Sequence, residues 1–124
     1  MNSTDLTWLS AADARRMLDR KEISSAELTD AHLRRIEAID GPIHAYLHVM
    51  ADVAHAQAAD ADARIARGEA GVLTGIPVAL KDVLVTVDAP TTAASRILEG
   101  YQSPYDATVV SRLRENGAVF LGKV

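Results

Sequence analysis

In the stretch "GIPVALKDVL", residues 75–84, an apolar run from Ile76 to Leu80 ends on Lys81, and Asp82 follows at once. Lysine is among the residues least often fully buried, so this amine is either a strand end reaching for water or a group placed for chemistry. A low-dielectric site disfavours the ammonium and leaves a neutral amine able to act as a general base. Pattern alone leaves both readings open, and the strand-end lysine is the more ordinary one.

The other candidates have plainer explanations. His32, His44, His48 and His55 invite a metal site, but His44 and His48 flank Tyr46 on an expected strand and share no helix face with a supporting carboxylate. Surface or packing roles are expected for them, and no metal. "GEAG" and "LTG" offer glycines without the lysine and hydroxyl of a phosphate loop. Asp60 and Arg64, four residues apart, suit an exposed helix face. Asp106 precedes "ATVVSRL" and is expected to cap a helix rather than serve as an acid.

These groups must be positioned by elements that the patterning suggests. Ser10-Ala-Ala-Asp13 and Ser24-Ser-Ala-Glu27 match the capping box, so helices should start at both. On the second, Leu28, Thr29, His32, Leu33, Ile36 and Ile39 share one broad face, and Gly41-Pro42 should end it. Residues 43–50 alternate and predict a strand, followed by an alanine-rich helix with Ala51, Ala54, Ala58, Ala61 and Ile65 in register and Gly68 as its stop. Ile76 to Leu80 and Val83 to Val87 predict buried strands bent around Lys81-Asp82. Residues 88–106 have no period and predict loop, then a helix from Ala107 to Asn116, then a strand from Ala118 to Gly122. Strand, helix and strand in the second half predict an α/β sheet. Residues 1–68 should be mainly helical with one strand, and 69–124 form the α/β segment that carries Lys81.

Composition narrows the function classes. Hydrophobic residues make up 48% and charged residues 24% of 124, the balance of a globular protein. A net charge of -4, from 13 basic and 17 acidic residues, gives no electrostatic footprint for direct nucleic-acid binding. The absence of cysteine removes disulfides, thiolate metal sites and thiol nucleophiles, and fits a cytoplasmic location. "MNSTDLTWLSAADARRMLDRKE" carries charges throughout and lacks the apolar core of a secretory signal, so none is expected there. "GAVFLGKV" closes directly after an apolar run, so the sheet is expected to be incomplete in this chain.

The order "GIPVALKDVL", "PTTAASRILEGY", "PYDATVVSRLRENGAVFLGK" resembles the amidase signature family, and within it the glutaminase (A) subunits of tRNA-dependent amidotransferases. "LSAADARRMLDRKEISSAELTDAHLRRIEAID" and "IHAYLHV" extend the resemblance over nearly the whole chain. It implies the N-terminal part of an α/β fold with a mixed sheet flanked by helices. It also implies that Lys81 is the lysine of a Ser-Ser-Lys triad, buried so that it can be neutral. Acting through a bridging serine, it would deprotonate the serine that attacks the glutamine amide. The partners implied are B and C subunits, the B subunit handling tRNA, ATP and Mg²⁺, while no cofactor is expected in this chain.

Departures from the family accompany the match. Its Gly/Ser-rich signature, with both serines and the substrate pocket, lies downstream of the position matched by Gly122-Lys123. Ala94 stands where glycine is usual, which implies a modified loop path, and Val124 replaces a usual threonine. The chain alone is therefore expected to be inactive. A stand-alone amidase, or a non-catalytic segment that binds partner subunits, are the alternatives.

Overall fold

The structure, a computed structural model, describes residues 5–124. Helix α1 (Ala11–Asp19) starts where the Ser10 hydroxyl accepts the Asp13 amide at 3.1 Å. Helix α2 (Ser25–Ile43) starts at a full capping box: Ser24 Oγ accepts the Glu27 amide at 3.0 Å, and Glu27 accepts the Ser24 amide at 2.8 Å. Both starts agree with the sequence. The end of α2 does not, because the helix runs through Gly41-Pro42 to Ile43.

Asp40 explains the later exit. His44 takes a left-handed conformation (φ 56°) and its amide bonds the Asp40 carbonyl at 2.7 Å. The Asp40 carboxylate then accepts the amides of Ala45 (2.8 Å) and Tyr46 (3.1 Å). These amides are spent on a helix exit rather than on a neighbouring strand. The strand expected over residues 43–50 accordingly shrinks to β1 (His48–Val49).

Helix α3 (Ala51–Ala66) follows as its alanine pattern predicts, with Ala54, Ala58 and Ala61 fully buried. Small side chains let it lie close on the sheet, where Ala54 and Ala58 meet Val119 and Leu121, with Leu33 and Ile36 of α2 packed alongside. A second cluster joins α1 and α2 to the sheet through Ala14, Leu18, Leu28 and Ile76.

The sheet has three strands in the order β1, β3 (Val119–Lys123), β2 (Pro77–Leu80). The β2–β3 pair is parallel and β1–β3 antiparallel, giving the mixed α/β sheet expected. Every residue of β3 is buried, including its lysine. Gly122 makes that possible: a Cβ there would strike the His48 carbonyl oxygen and lie 2.8 Å from the Tyr46 ring.

The segment Val83 to Val87 is not a strand. The Leu84 amide turns back to the Lys81 carbonyl at 2.9 Å, and Val83 (59%) and Val87 (48%) are exposed. The Val85 carbonyl accepts the Ala107 amide at 2.8 Å, a contact to the start of the next helix rather than to a strand. Residues 88–106 form a loop with one 3-10 turn (Arg96–Leu98), leading into α4 (Thr108–Glu115). Ala107 occupies the cap position of α4, and no side chain caps it, so the capping role expected of Asp106 is overturned.

Asp106 is instead the centre of an ionic knot. It accepts from Thr86 Oγ1 (2.9 Å), the Val87 amide (2.9 Å) and Arg114 Nε (2.9 Å), while Arg114 also bonds Asp88 at 2.5 Å. The Arg114 guanidinium lies 5.2 Å from the centre of the Phe120 ring. Burial opposes ionisation of Asp106, but hydrogen bonds from Arg114, Val87 and Thr86 outweigh it and lower its pKa.

Candidate functional site at the end of the parallel strands

Strands β2 and β3 run in the same direction, and both apolar runs end on lysine: "PVALK" at 81 and "VFLGK" at 123. The structure treats the two amines in opposite ways. Lys123 is fully buried, and its Nζ donates to Asp82 Oδ1 (2.9 Å), the Pro90 carbonyl (3.1 Å) and Thr91 Oγ1 (3.1 Å). An ammonium has three N–H bonds, and all three are satisfied here. Lys81 is exposed, so the burial expected for it is not found in this chain. Among the described residues its amine has no hydrogen-bond or ion-pair partner.

The backbone on both sides of Lys81 is held. The Leu80 carbonyl accepts the Val124 amide at 2.8 Å, and the Asp82 amide donates to the Val124 carbonyl at 2.7 Å. The Asp82 carbonyl accepts the Ala93 amide at 3.2 Å. The Asp82 carboxylate takes the Thr92 hydroxyl (2.6 Å) and the amides of Thr92 (3.0 Å) and Ala94 (3.5 Å) on its second oxygen. Main-chain amides converging on one anion make a small nest.

Nest geometry demands unusual backbone. Ala93 (φ 51°) and Ala94 (φ 56°) are both left-handed, a conformation that costs an L-residue roughly 1–2 kcal/mol. Ala94 thus keeps a conformation natural to glycine without being one. Burial alone would raise the Asp82 pKa, yet hydrogen bonds from Thr92 and Lys123, with the Lys123 charge, turn the balance and lower it. A shallow hollow of about 250 Å³ opens beside this loop, lined by Leu47, Thr92, Ala94, Ser95, Arg96 and Glu99.

The remaining sequence candidates stand apart from Lys81 chemically. His32 Nδ1 sits 2.9 Å from the Leu28 carbonyl, and His55 Nδ1 is 3.3 Å from Asp30. Asp60 and Arg64 form the expected i, i+4 pair at 2.8 Å on α3. The hydroxyl of Ser95 accepts the Ile97 amide, and that of Ser103 donates to the Tyr105 carbonyl, so both serve local turns. Sequence reasoning missed the partnership of Lys123, Asp82, Thr91 and Thr92. The one signal for it was the second lysine closing an apolar run.

Comparison with known proteins gives a consistent picture. The model of the family described as "Amidase" matches residues 27–124. The A subunit of glutamyl-tRNA(Gln) amidotransferase from Thermobifida fusca (strain YX) is 58% identical over 121 residues, covering 97% of this chain and 24% of that protein. Its counterpart of the same name from Corynebacterium glutamicum (strain R) is 52% identical over 124 residues, covering 98% of this chain and 25% of that protein. Among solved structures, the native peptide amidase from Stenotrophomonas maltophilia superposes with a TM-score of 0.82 at 38% identity, over 94% of this chain and 24% of that one. A bacterial aryl acylamidase gives 0.85 at 27% identity, over 94% and 25%. This chain therefore spans about a quarter of the length of the relatives it matches.

Proposed function

Because this chain belongs to the amidase signature family, we propose that it forms the lysine-bearing N-terminal portion of a glutaminase subunit that feeds ammonia to tRNA-dependent amidation. The observation that carries this reading is Lys81: an amine without a partner among the described residues, on backbone pinned at both neighbours, at the shared end of two parallel strands. The substrate class follows the amidotransferase relatives, whose identity of 52–58% exceeds the 27–38% of the two amidase structures.

In this reading Lys81 becomes the neutral base once further protein covers it and removes water. A bridging serine relays a proton from the nucleophilic serine to the Lys81 amine. The serine oxygen attacks the glutamine side-chain carbonyl, and backbone amides stabilise the oxyanion. The C–N bond breaks, ammonia leaves with a proton returned through the relay, and water then releases glutamate. The serines of this relay belong to the part of such enzymes outside these 124 residues. The tRNA-borne carboxylate is activated with ATP and Mg²⁺ on a B subunit, while a C subunit braces the assembly.

The test replaces the matching segment of the Corynebacterium glutamicum protein with this sequence and assembles the hybrid with its partner subunits. Lys81→Met keeps the apolar stem and removes the amine. Glutamine hydrolysis should fall by about three orders of magnitude or more, while tRNA amidation from added ammonia persists. Near-parent glutamine hydrolysis by folded Lys81→Met refutes the base assignment. Amide hydrolysis without any tRNA product supports a stand-alone amidase instead. The 124-residue chain by itself should release no glutamate in proportion to its concentration.

A further inference from the structure

We propose that Asp82 and Lys123 form a positioning pair that fixes the direction in which Lys81 presents its amine, an inference that rests on Lys81 being the base. The pair lies immediately beside Lys81 in both chain and space: Asp82 is its neighbour, and Lys123 pairs in register with Leu80 across the parallel strands. Lys123 is fully buried and Asp82 nearly so (2%), and together they gather the Pro90 carbonyl and both hydroxyls of Thr91 and Thr92. With the Asp82 side chain committed to this buried cluster, the chain at 81 is left to turn its amine outward.

The pair also settles which amine the carboxylate serves. An aspartate adjacent to a base lysine is a ready counter-ion that would favour its ammonium form. Here one Asp82 oxygen is occupied by Lys123 and the other by Thr92 and the nest amides. Lys81 is left with no carboxylate partner among the described residues.

A buried ion pair is weak evidence of stabilisation in itself. Removing one partner strands a buried charge, whereas removing both with volume conserved is often nearly neutral. That asymmetry separates positioning from stability. In the hybrid amidase, the double variant Asp82→Asn/Lys123→Met should melt close to the parent, yet lose about tenfold to a hundredfold in kcat for glutamine with KM little changed. Thr92→Val, which removes one hydroxyl from Asp82 without stranding a charge, should show the same split more mildly. A double variant, or a folded Thr92→Val, with parent stability and parent kcat overturns the inference. If the double variant fails to fold, the Thr92→Val result decides. Lys81→Met assayed alongside keeps the two readings distinct: full activity there refutes the base, whereas its inactivity beside an active double variant refutes only the positioning pair. A hybrid that folds but hydrolyses no glutamine with all residues intact overturns both.

Discussion

Lys81 and Lys123 each close an apolar run but meet different fates, and chemical reactivity distinguishes them directly. The chain has three lysines, at 21, 81 and 123. Acylation under native conditions, mapped by mass spectrometry, should modify Lys21 and Lys81 readily while Lys123 stays protected until the chain unfolds. Fast modification of Lys123 in folded protein would mean that its three hydrogen bonds do not hold it. Two carboxylates at this scale set an acid limit. Asp82 and Asp106 both have folded pKa values below the ordinary 3.8. Their stabilisation is complete above the unfolded value and is lost as pH falls through the lowered folded value. The urea midpoint should therefore hold near neutrality and drop below about pH 4. Asp106→Ala should cost about 2 kcal/mol rather than the smaller value of a lost cap, because it leaves Arg114 with Asp88 and a long contact to Thr86, and takes the acceptor from both the Thr86 hydroxyl and the Val87 amide. An equilibrium denaturation series measures that cost, and a change under about 0.5 kcal/mol would contradict the knot.

Between elements, the tightest constraint is the crossing of β1 and β3. Gly122→Ala places a methyl against the His48 carbonyl and the Tyr46 ring, where backbone has little room to yield. Overpacking of this kind costs roughly 1–3 kcal/mol, and the upper part of that range is expected because the obstacle is main chain. Loss of the β1 pairing should appear as faster amide exchange at Leu47 and Met50, whose N–H groups bond Lys123 and Leu121 of β3. Unchanged exchange in Gly122→Ala would show that β1 accommodates the methyl. Element types were largely legible from the sequence: both helix starts at Ser10 and Ser24, the alanine register of α3 and the apolar runs at 76 and 118 became the elements they suggest. Boundaries were less so. Asp40 extended α2 past Gly41-Pro42 by capping residues 45 and 46, a side-chain event that no periodicity encodes.

For the molecule as a whole, the three-stranded sheet ends on β1 at one side and β2 at the other. Strand edges with unpaired N–H and C=O groups template association, and exposed Val83, Val87 and Ile97 add apolar surface in the second half of the chain. Purified as these 124 residues, the protein should self-associate with rising concentration in sedimentation velocity. A monomer at high concentration with one sharp cooperative melt would show that the edges are already protected.

The family and the α/β class were legible from the sequence alone because they are local: motifs, periods and caps are written in neighbouring residues. Tertiary structure alone decided which of two strand-end lysines is buried. Parallel pairing sets Lys123 across from Leu80 and next to Asp82, 41 positions away along the chain, and the loop at 91–94 closes over it. A buried ammonium is tolerated only where acceptors converge from several segments. At Lys123 they converge from 82, 90 and 91; at Lys81 none of the described residues supplies one, and the residue is exposed.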